Sequence, residues 1–401
     1  MRIAVIVRDV APGTGLNLVV QNLLAGLAEQ HEIRQFLLFP GYYTKSRETI
    51  ELPYPREEYA PGATKPEGRK LSRASRYYGA DPERLAWIET RVASFGADRI
   101  VGFDYNVAPF VGLLRSDTPK ILNVVDSEIL YYLGQLRKGN LGSAVFKHLL
   151  AALLTGREHF PNLAATVTVS PSDTENLKRF TGARRSFTVP NGVDFERYAP
   201  DPSIRPHPGR VIFCGSLSFL PNVQAVEWFV SQCWGEIRRL HPNAELVVIG
   251  KNPPAGLTAR LESSPGVRVT GFVEDVRPHI LASAVSIAPM VSGTGIKNKI
   301  LEAWALATPV VATRLAVKGL VCQHDRDILI AKSPAGFTSA VAMLLGDRER
   351  RERMGAAGRA HVMRNYNWEL SRAKFNSIVE QPSTYREATA VLADPLVGTP
   401  G

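Results

Sequence analysis

One short segment combines glycines, hydroxyl side chains and cations in a pattern typical of phosphate binding. Residues 291–302 read VSGTGIKNKILE and follow an apolar run predicted to be a buried strand. The helix predicted over Lys297–Leu306 would present unpaired backbone N–H groups at its positive end, which attracts anions. A cation such as Lys297 is unfavourable in a first helical turn unless an anion neutralises it. The segment indicates a nucleotide cradle, with lysine on phosphate and Glu302 on ribose hydroxyls.

Carboxylates in the C-terminal half of the sequence also have interpretations that involve no nucleotide. Lys299 and Glu302 are three residues apart, so they are able to form a surface ion pair worth about 0.2–0.5 kcal/mol. The glycines and the off-pattern Lys297 favour anion binding over that alternative. Asp325 and Asp327 have the Asp-x-Asp form that holds a divalent ion on a diphosphate. They precede a strand-like run, and we interpret them as a polar turn.

Other turns also follow predicted strands, where ligands bind in doubly wound folds. Residues 11–15 lie between the strand Ile3–Val7 and the helix Leu18–Glu29, and their glycines would let a ligand approach the backbone. Three further turns occupy residues 215–222, 250–253 and 271–275. Singly each is an ordinary loop, but together they could line one edge of a cleft.

An alternation of strands and helices positions these turns. Besides the elements above, a helix is predicted over Val223–Leu240. Further strands are predicted at Arg99–Gly102, Lys120–Val125, Thr166–Val169, Phe187–Val189, Val211–Phe213, Glu245–Ile249, Val267–Thr270, Val285–Pro289 and Pro309–Ala312. Strands that alternate with helices favour βαβ units and parallel sheets, so the expected class is α/β.

A proline-rich break divides the chain into two predicted domains. Residues 191–209 contain four prolines and no apolar periodicity, which indicates a linker. Two doubly wound domains would then lie at 1–190 and 210–361, facing each other across a cleft. A helix over 362–380 is expected to cross back to the first domain, with 381–401 as a tail.

Residues 40–80 are an irregular insertion with six of the twelve tyrosines and eight Lys or Arg residues. The tyrosines would either stack on a sugar or another flat acceptor, or simply pack locally within a surface insertion. The sequence leaves both interpretations open and favours the second.

Charge, cysteine content and missing motifs exclude several classes of protein. The formal charge is +10, with 48 basic and 38 acidic residues, which fits phosphate-bearing ligands, an anionic membrane surface or basic residues spread over the surface. Three distant cysteines exclude a disulfide framework and disfavour structural zinc. No apolar run has the length of a membrane span or signal peptide, and no nucleic-acid signature occurs, so we expect a cytoplasmic protein without a nucleic-acid partner. Motifs of serine hydrolases, zinc proteases and P-loop enzymes are missing.

Taken in order, several segments resemble the GT-B glycosyltransferases of retaining family 4 (group 1). The closest resemblance is to the exopolysaccharide or PEP-CTERM-associated sugar transferases. The matching pieces are PNGVD at 190–194, FCGSLSFLPNVQAVEWF at 213–229, VVIGKNP at 247–253, VRVTGFVEDVRPHI at 267–280, SGTGIKNKILEAWALATPVVAT at 292–313 and RERMGAAGRAHVMRNYNWE at 351–369.

The resemblance implies a GT-B fold with two Rossmann-like domains and a nucleotide-diphosphate sugar as donor. Its implied catalytic residues are Asp126, Lys299 and Glu302. Its implied donor-binding residues are Gly13, Gly15, Gly215, Ser216, Asn222, Lys251, Gly271, Phe272, Val273, Gly293, Thr294, Gly295, Lys297, Lys299 and Glu302. In these roles the lysines hold the diphosphate, Glu302 the ribose, and the turn around Gly271 meets the base.

The implied reaction is retaining, and it uses no metal ion, cofactor or protein nucleophile. Lysines and a helix end would stabilise the leaving diphosphate, and the acceptor would be a glycan, a lipid-linked group or a small molecule. Many relatives carry a glutamate where this chain has Thr294, which motivates one alternative, a non-catalytic partner subunit. A nucleotide-sugar epimerase on the same fold is another. Cell-envelope or exopolysaccharide synthesis, with peripheral association at the inner membrane face, is the expected setting.

Overall fold

The computed structural model describes residues 1–9, 15–40, 54–62, 70–125, 127–137 and 139–386. The chain divides into two compact units. The N-terminal unit comprises Met1–Asn191 and the segment that begins at Trp368, and the C-terminal unit comprises Gly192–Asn367. Gly13 and Asp126, two of the predicted site residues, lie outside the described residues.

The N-terminal unit contains a seven-stranded, all-parallel sheet in the order β3-β2-β1-β4-β5-β6-β7. Its strands are β1 (Arg2–Val7), β2 (Glu32–Leu37), β3 (Arg56–Glu58), β4 (Arg99–Phe103), β5 (Lys120–Val124), β6 (Ala165–Thr168) and β7 (Ser186–Thr188). Residues 3–7 of β1 are almost completely buried, as expected for a parallel strand covered by helices on both faces.

In the described part of this unit, seven α-helices precede the C-terminal unit in the chain. They are α1 (Gly15–Ala28), α2 (Arg73–Tyr77), α3 (Pro82–Phe95), α4 (Ala108–Leu113), α5 (Glu128–Arg137), α6 (Ser143–His159) and α7 (Pro171–Thr181). Local sequence sets several ends. Ser170 accepts a hydrogen bond from the Asp173 N–H at the start of α7, Pro171 occupies its first turn, and Gly182 ends it in a left-handed conformation.

The C-terminal unit contains a six-stranded, all-parallel sheet in the order β10-β9-β8-β11-β12-β13. Its strands are β8 (His207–Cys214), β9 (Glu245–Ile249), β10 (Val267–Gly271), β11 (Ser283–Ala288), β12 (Val310–Thr313) and β13 (Leu329–Ala331). Consecutive strands extend outward in opposite directions from β8 and β11. That reversal creates a crevice at their carboxyl ends, where ligands of doubly wound sheets bind.

The helices around this second sheet are α8 (Leu220–Phe229), α9 (Gly235–Leu240), α10 (Leu257–Glu262), α11 (Arg277–Leu281), α12 (Asn298–Ala305), α13 (Pro334–Gly346) and α14 (Arg348–Asn365). A π-helical turn, Val230–Trp234, joins α8 to α9 where the sequence predicts one continuous helix. The last helix, α15 (Trp368–Glu380), belongs to the N-terminal unit and packs against α1. No helix among the described residues is long and apolar enough to cross a membrane.

The structure differs from the predicted elements in three places. The helix expected over 362–380 is two helices, because the chain leaves the helical conformation at Tyr366 and α15 begins at Trp368. β8 begins at His207, inside the expected linker. Directly after α15, inside the expected tail, Arg185 donates hydrogen bonds to the carbonyls of Pro382 and Tyr385.

The irregular insertion contributes tyrosines to local packing. The Tyr59 and Trp87 rings lie 5.7 Å apart, and Tyr78 is almost completely buried. Tyr42 and Tyr43 lie outside the described residues. For the tyrosines that are described, local packing is the better interpretation than stacking on a ligand.

A substitution at Gly250 tests the close packing of the strand ends. A Cβ there would overlap the Gly215 carbonyl oxygen, so we expect Gly250→Ala to lower the free energy of unfolding by about 1–3 kcal/mol. Gly235→Ala is the matched control, because a Cβ at that helical position meets no atom within 4 Å and should stabilise by about 0.5–1 kcal/mol. Urea denaturation measures both, and equal effects of the two substitutions would contradict the prediction.

Candidate functional site

Backbone hydrogen bonds join the predicted turns at the carboxyl edge of the second sheet. The Gly215 N–H donates to the Ile249 carbonyl at 2.9 Å, and the Gly250 N–H donates to the Gly271 carbonyl at 3.0 Å. The Leu217 N–H donates to the Lys251 carbonyl at 3.0 Å. The turns after β8, β9 and β10 therefore form one continuous rim next to the crevice.

Lys299 of α12 reaches this rim from the opposite side of the crevice. Its Nζ donates to Asn222 Oδ1 at 2.8 Å and lies 3.8 Å from Met290 Sδ and 3.9 Å from the centre of the Phe213 ring. Asn222 in turn donates from Nδ2 to the Ser216 carbonyl at 2.9 Å. A Cβ at Gly215 would come within 2.9 Å of the lysine nitrogen. Glycine at position 215 thus leaves room for the ammonium.

The surroundings of Lys299 do not neutralise its charge. The pKa of Lys299 is lowered to about 7. Burial is the main cause and the charge of Lys297 contributes, while Cys214 and the Glu302 carboxylate oppose the shift. Within the described part of the chain no ion pair joins Lys299 to Glu302, so the surface-pair interpretation is wrong. A cation that lacks a hydrogen-bonded carboxylate at the crevice of a parallel sheet is suited to an anionic ligand.

Glu302 occupies the next turn of α12 and is partly buried. Burial raises the pKa of its carboxyl, and interactions with Lys299, Tyr198 and Arg197 oppose that rise. Tyr198 was not predicted, because it lies in the proline-rich segment before β8, where the sequence shows no periodic pattern. The arrangement leaves Glu302 as a hydrogen-bonding group rather than one half of an ion pair.

The glycine-rich turn before α12 is held by its own side chains. Gly293 and Gly295 both have positive φ angles, 100° and 72°, which favour glycine. The Ser292 hydroxyl donates to the Gln224 side chain. The ammonium of Lys297 donates to the carbonyls of Thr294 and Gly295. Lys297 therefore stabilises the conformation of the turn, a role that the sequence did not reveal.

The remaining predicted residues are distributed as follows. Phe272 follows β10 with 72% of its surface exposed, and Val273 packs against the core of the C-terminal unit. Exposure of so large an apolar ring beside the crevice is consistent with a face for a nucleotide base. Gly15 is the first residue of α1.

The N-terminal sheet has its own group of titratable side chains at the carboxyl edge. Asp104, directly after β4, has a φ angle of 88° and accepts a hydrogen bond from Asn106 at 2.9 Å. Glu128 opens α5 and accepts one from the Tyr78 hydroxyl at 2.6 Å. The pKa of Glu128 is raised to about 7, mainly by burial and also by the nearby Asp104 carboxylate, while the Tyr78 hydrogen bond opposes the rise. An acidic residue after a buried strand is a signal that sequence reasoning could have used at Asp104.

The Asp-x-Asp triplet is a structural turn. Asp327 is 1% exposed, accepts a hydrogen bond from the Gln323 N–H at 2.8 Å, and pairs with Arg326. Its carboxylate is therefore occupied by its own loop. Among the described residues, no group of three or more His, Cys, Asp or Glu side chains is arranged to hold a metal ion. Cys214, Cys233 and Cys322 are buried free thiols.

Part of the chain that forms this site is similar to a known protein family. Residues 208–347 match the family described as glycosyl transferases group 1. A GDP-mannose-dependent alpha-(1-6)-phosphatidylinositol monomannoside mannosyltransferase of Mycobacterium tuberculosis is 31% identical over 206 residues, which cover 46% of this chain and 53% of that protein. The chain spans about half the length of the curated relatives it matches. Over residues 208–347 the chain is therefore similar to group 1 glycosyltransferases.

Solved structures extend the comparison to the whole chain. Sucrose-phosphate synthase of Thermosynechococcus elongatus superposes with a TM-score of 0.75 at 16% identity, covering 95% of this chain and 98% of that one. HepE of Anabaena, solved with UDP and glucose, gives a TM-score of 0.67 at 12% identity over 94% and 99%. The predicted GT-B fold, with two parallel α/β units, is confirmed.

The environment of Lys299 predicts a specific dependence of stability on pH. Because the pKa of this lysine is lowered on folding, the unfolded chain binds a proton between about pH 7 and 10 that the folded chain lacks. Stability therefore rises with pH there, with a slope of up to about 1.4 kcal/mol per pH unit from this group. Lys299→Met should remove that contribution. Urea denaturation of both proteins at pH 7, 8 and 9 measures how the free energy of unfolding depends on pH. If that dependence is the same for the two proteins, Lys299 is a solvated ammonium and the prediction is wrong.

Proposed function

We propose that this chain is a retaining glycosyltransferase that moves a sugar from a nucleotide-diphosphate sugar to an acceptor hydroxyl without a metal ion. The observation that carries the proposal is the ammonium of Lys299, held against Gly215 and Asn222 at the crevice of the second sheet without an ion-pair partner among the described residues. The match of residues 208–347 to group 1 glycosyltransferases supports the same reaction class.

In this proposal the two halves of the donor contact different parts of the site. The diphosphate lies against Lys299 and the turn 292–297, where the ammonium and the positive helix end stabilise negative charge. The ribose hydroxyls bind Glu302, and the base lies near Phe272. Lys297 acts mainly by fixing the turn, since its donors are directed at the carbonyls of Thr294 and Gly295.

The proposed reaction needs few protein groups. The bond between the anomeric carbon and the β-phosphate oxygen breaks, and the acceptor oxygen bonds to that carbon on the same face. The acceptor proton passes to the departing phosphate. Lys299 stabilises the negative charge that grows on the diphosphate, which is electrostatic catalysis in a site with little water.

For the acceptor we propose a glycan or a lipid-linked group at the inner membrane face, in cell-envelope synthesis. The matched mycobacterial relative is named for a phosphatidylinositol monomannoside acceptor, which supports a lipid-linked substrate in the wider family. In the N-terminal unit, Asp104 and Glu128 are polar groups suited to bind acceptor hydroxyls, and both follow neighbouring strands of the sheet, β4 and β5.

Donor binding tests this proposal directly. In the presence of EDTA, calorimetry with UDP-, GDP-, ADP- and dTDP-sugars should identify one base class that binds. Lys299→Met and Glu302→Gln should each weaken that binding about 10- to 150-fold, as expected for a lost charge-assisted hydrogen bond. Lys332→Met, at an exposed lysine after the edge strand β13, is the matched control. Binding of no donor, or only with a divalent ion, would favour the partner-subunit or a metal-dependent alternative.

Proton uptake provides an independent check of Lys299. At pH 8 a lysine with a pKa near 7 is mostly neutral, and a bound diphosphate should restore its charge. Donor binding at pH 8 should therefore take up close to one proton, and Lys299→Met should take up almost none. Calorimetry in buffers of different ionisation enthalpy measures this quantity, and equal uptake by both proteins would contradict the assignment.

A further inference from the structure

Helix α6 of the N-terminal unit carries a row of large apolar side chains on its exposed face. Phe146, Leu150 and Leu154 follow one another at intervals of four residues and are 51%, 57% and 47% exposed. This spacing places them on one face, within about 80° of each other around the helix axis. Leu141, just before the helix, is 68% exposed. We call these four residues the α6 stripe.

The α6 stripe is separate from the face that holds α6 in the fold. Val145, Leu149, Ala152 and His159 are buried on the other side of the helix, which packs against α2, α4, α5 and α7. The helix is thus apolar on two faces, of which the fold uses one. Single exposed leucines are common on proteins, but an aligned row on one helix indicates an interaction surface.

Exposed cations outnumber exposed carboxylates on α6 and the helices packed against it. On α6 and three of the helices packed against it, the exposed cations are Arg73, Arg76, Arg137, Lys147, Arg157, Lys178 and Arg179. The exposed carboxylates of the same helices are Glu158 and Glu175. Seven cations against two carboxylates give this side of the unit a positive potential over a Debye length of about 8–10 Å.

We propose that the α6 stripe docks the protein onto an anionic lipid bilayer. A helix that lies in a membrane interface buries one apolar face among the acyl chains, while flanking lysine and arginine contact anionic headgroups. A second copy of the chain fits less well, because its like charge would be repelled and four side chains cover far less than the roughly 1,000 Å² of a stable interface. The inference rests on the proposed function only in that a lipid-linked acceptor would be presented at this surface.

Vesicle binding by the full chain tests the proposal. Sedimentation with phosphatidylcholine vesicles containing about 30% phosphatidylglycerol should recover the wild-type protein, with less recovered at high salt or with phosphatidylcholine alone. The variant Phe146→Ser, Leu150→Ser, Leu154→Ser should lower the partition coefficient at least about 100-fold. The matched control, Leu240→Ser, Met343→Ser, Met363→Ser, changes three exposed apolar residues of the C-terminal unit and should bind as the wild type does.

A local probe shows which surface meets the lipid. Because the native cysteines are buried, Leu150→Cys accepts an environment-sensitive fluorophore selectively, and its emission should shift to the blue when vesicles are added. The same label at Leu370→Cys, on α15, should not respond. Equal vesicle binding by the triple variant, or a dimer that depends on the α6 stripe and forms without lipid, would overturn the proposal. Donor binding by the same samples is independent of this outcome, so failure of docking is distinguishable from failure of the transferase assignment.

Discussion

The C-terminal unit depends on a lysine that the fold holds in an unfavourable place. Lys299 has lost much of its hydration, and it has gained one amide oxygen, a thioether and an aromatic face instead of a carboxylate. A charge buried in this way costs stability unless the protein neutralises it or a ligand does. The position of Lys299 restricts two other residues. A side chain at Gly215 would occupy the space of the ammonium, and Asn222 supplies the amide oxygen that accepts its hydrogen bond.

The two sheets share one order for six strands, and the first sheet adds β7 at its edge. They place opposite charges at their carboxyl edges. At the second sheet a cation has a lowered pKa, and at the first sheet the carboxyls of Asp104 and Glu128 have raised pKa values. Burial is the first cause in each case, so both groups are kept from water before any ligand arrives. A common scaffold thus supplies one edge suited to an anion and another suited to hydroxyl groups.

Apolar periodicity and turn residues predicted most strands of the two sheets, since apolar runs such as Ile3–Val7 and Glu245–Ile249 indicate strands buried on both faces. They missed β2 and β3, whose charged residues interrupt the apolar pattern. Glycine turns at strand ends identified Gly215, Gly250 and the turn before α12. Contacts across the crevice, such as Lys299 with Asn222, depend on strand order. No local pattern contains that order, so the absence of a Lys299–Glu302 ion pair could not be predicted.

Thr294 stands where many of the glycosyltransferases that this sequence resembles carry a glutamate. A glutamate at this position would add a carboxylate three residues before Lys297, whose ammonium donates to the carbonyls of Thr294 and Gly295. With threonine there, Lys297 closes the turn through backbone acceptors, and the turn keeps the glycine conformations at 293 and 295. The substitution also leaves the net charge of the turn more positive. In the proposed reaction, recognition of the diphosphate would then rely more on Lys299 and the helix end, and the sugar would have one carboxylate partner fewer.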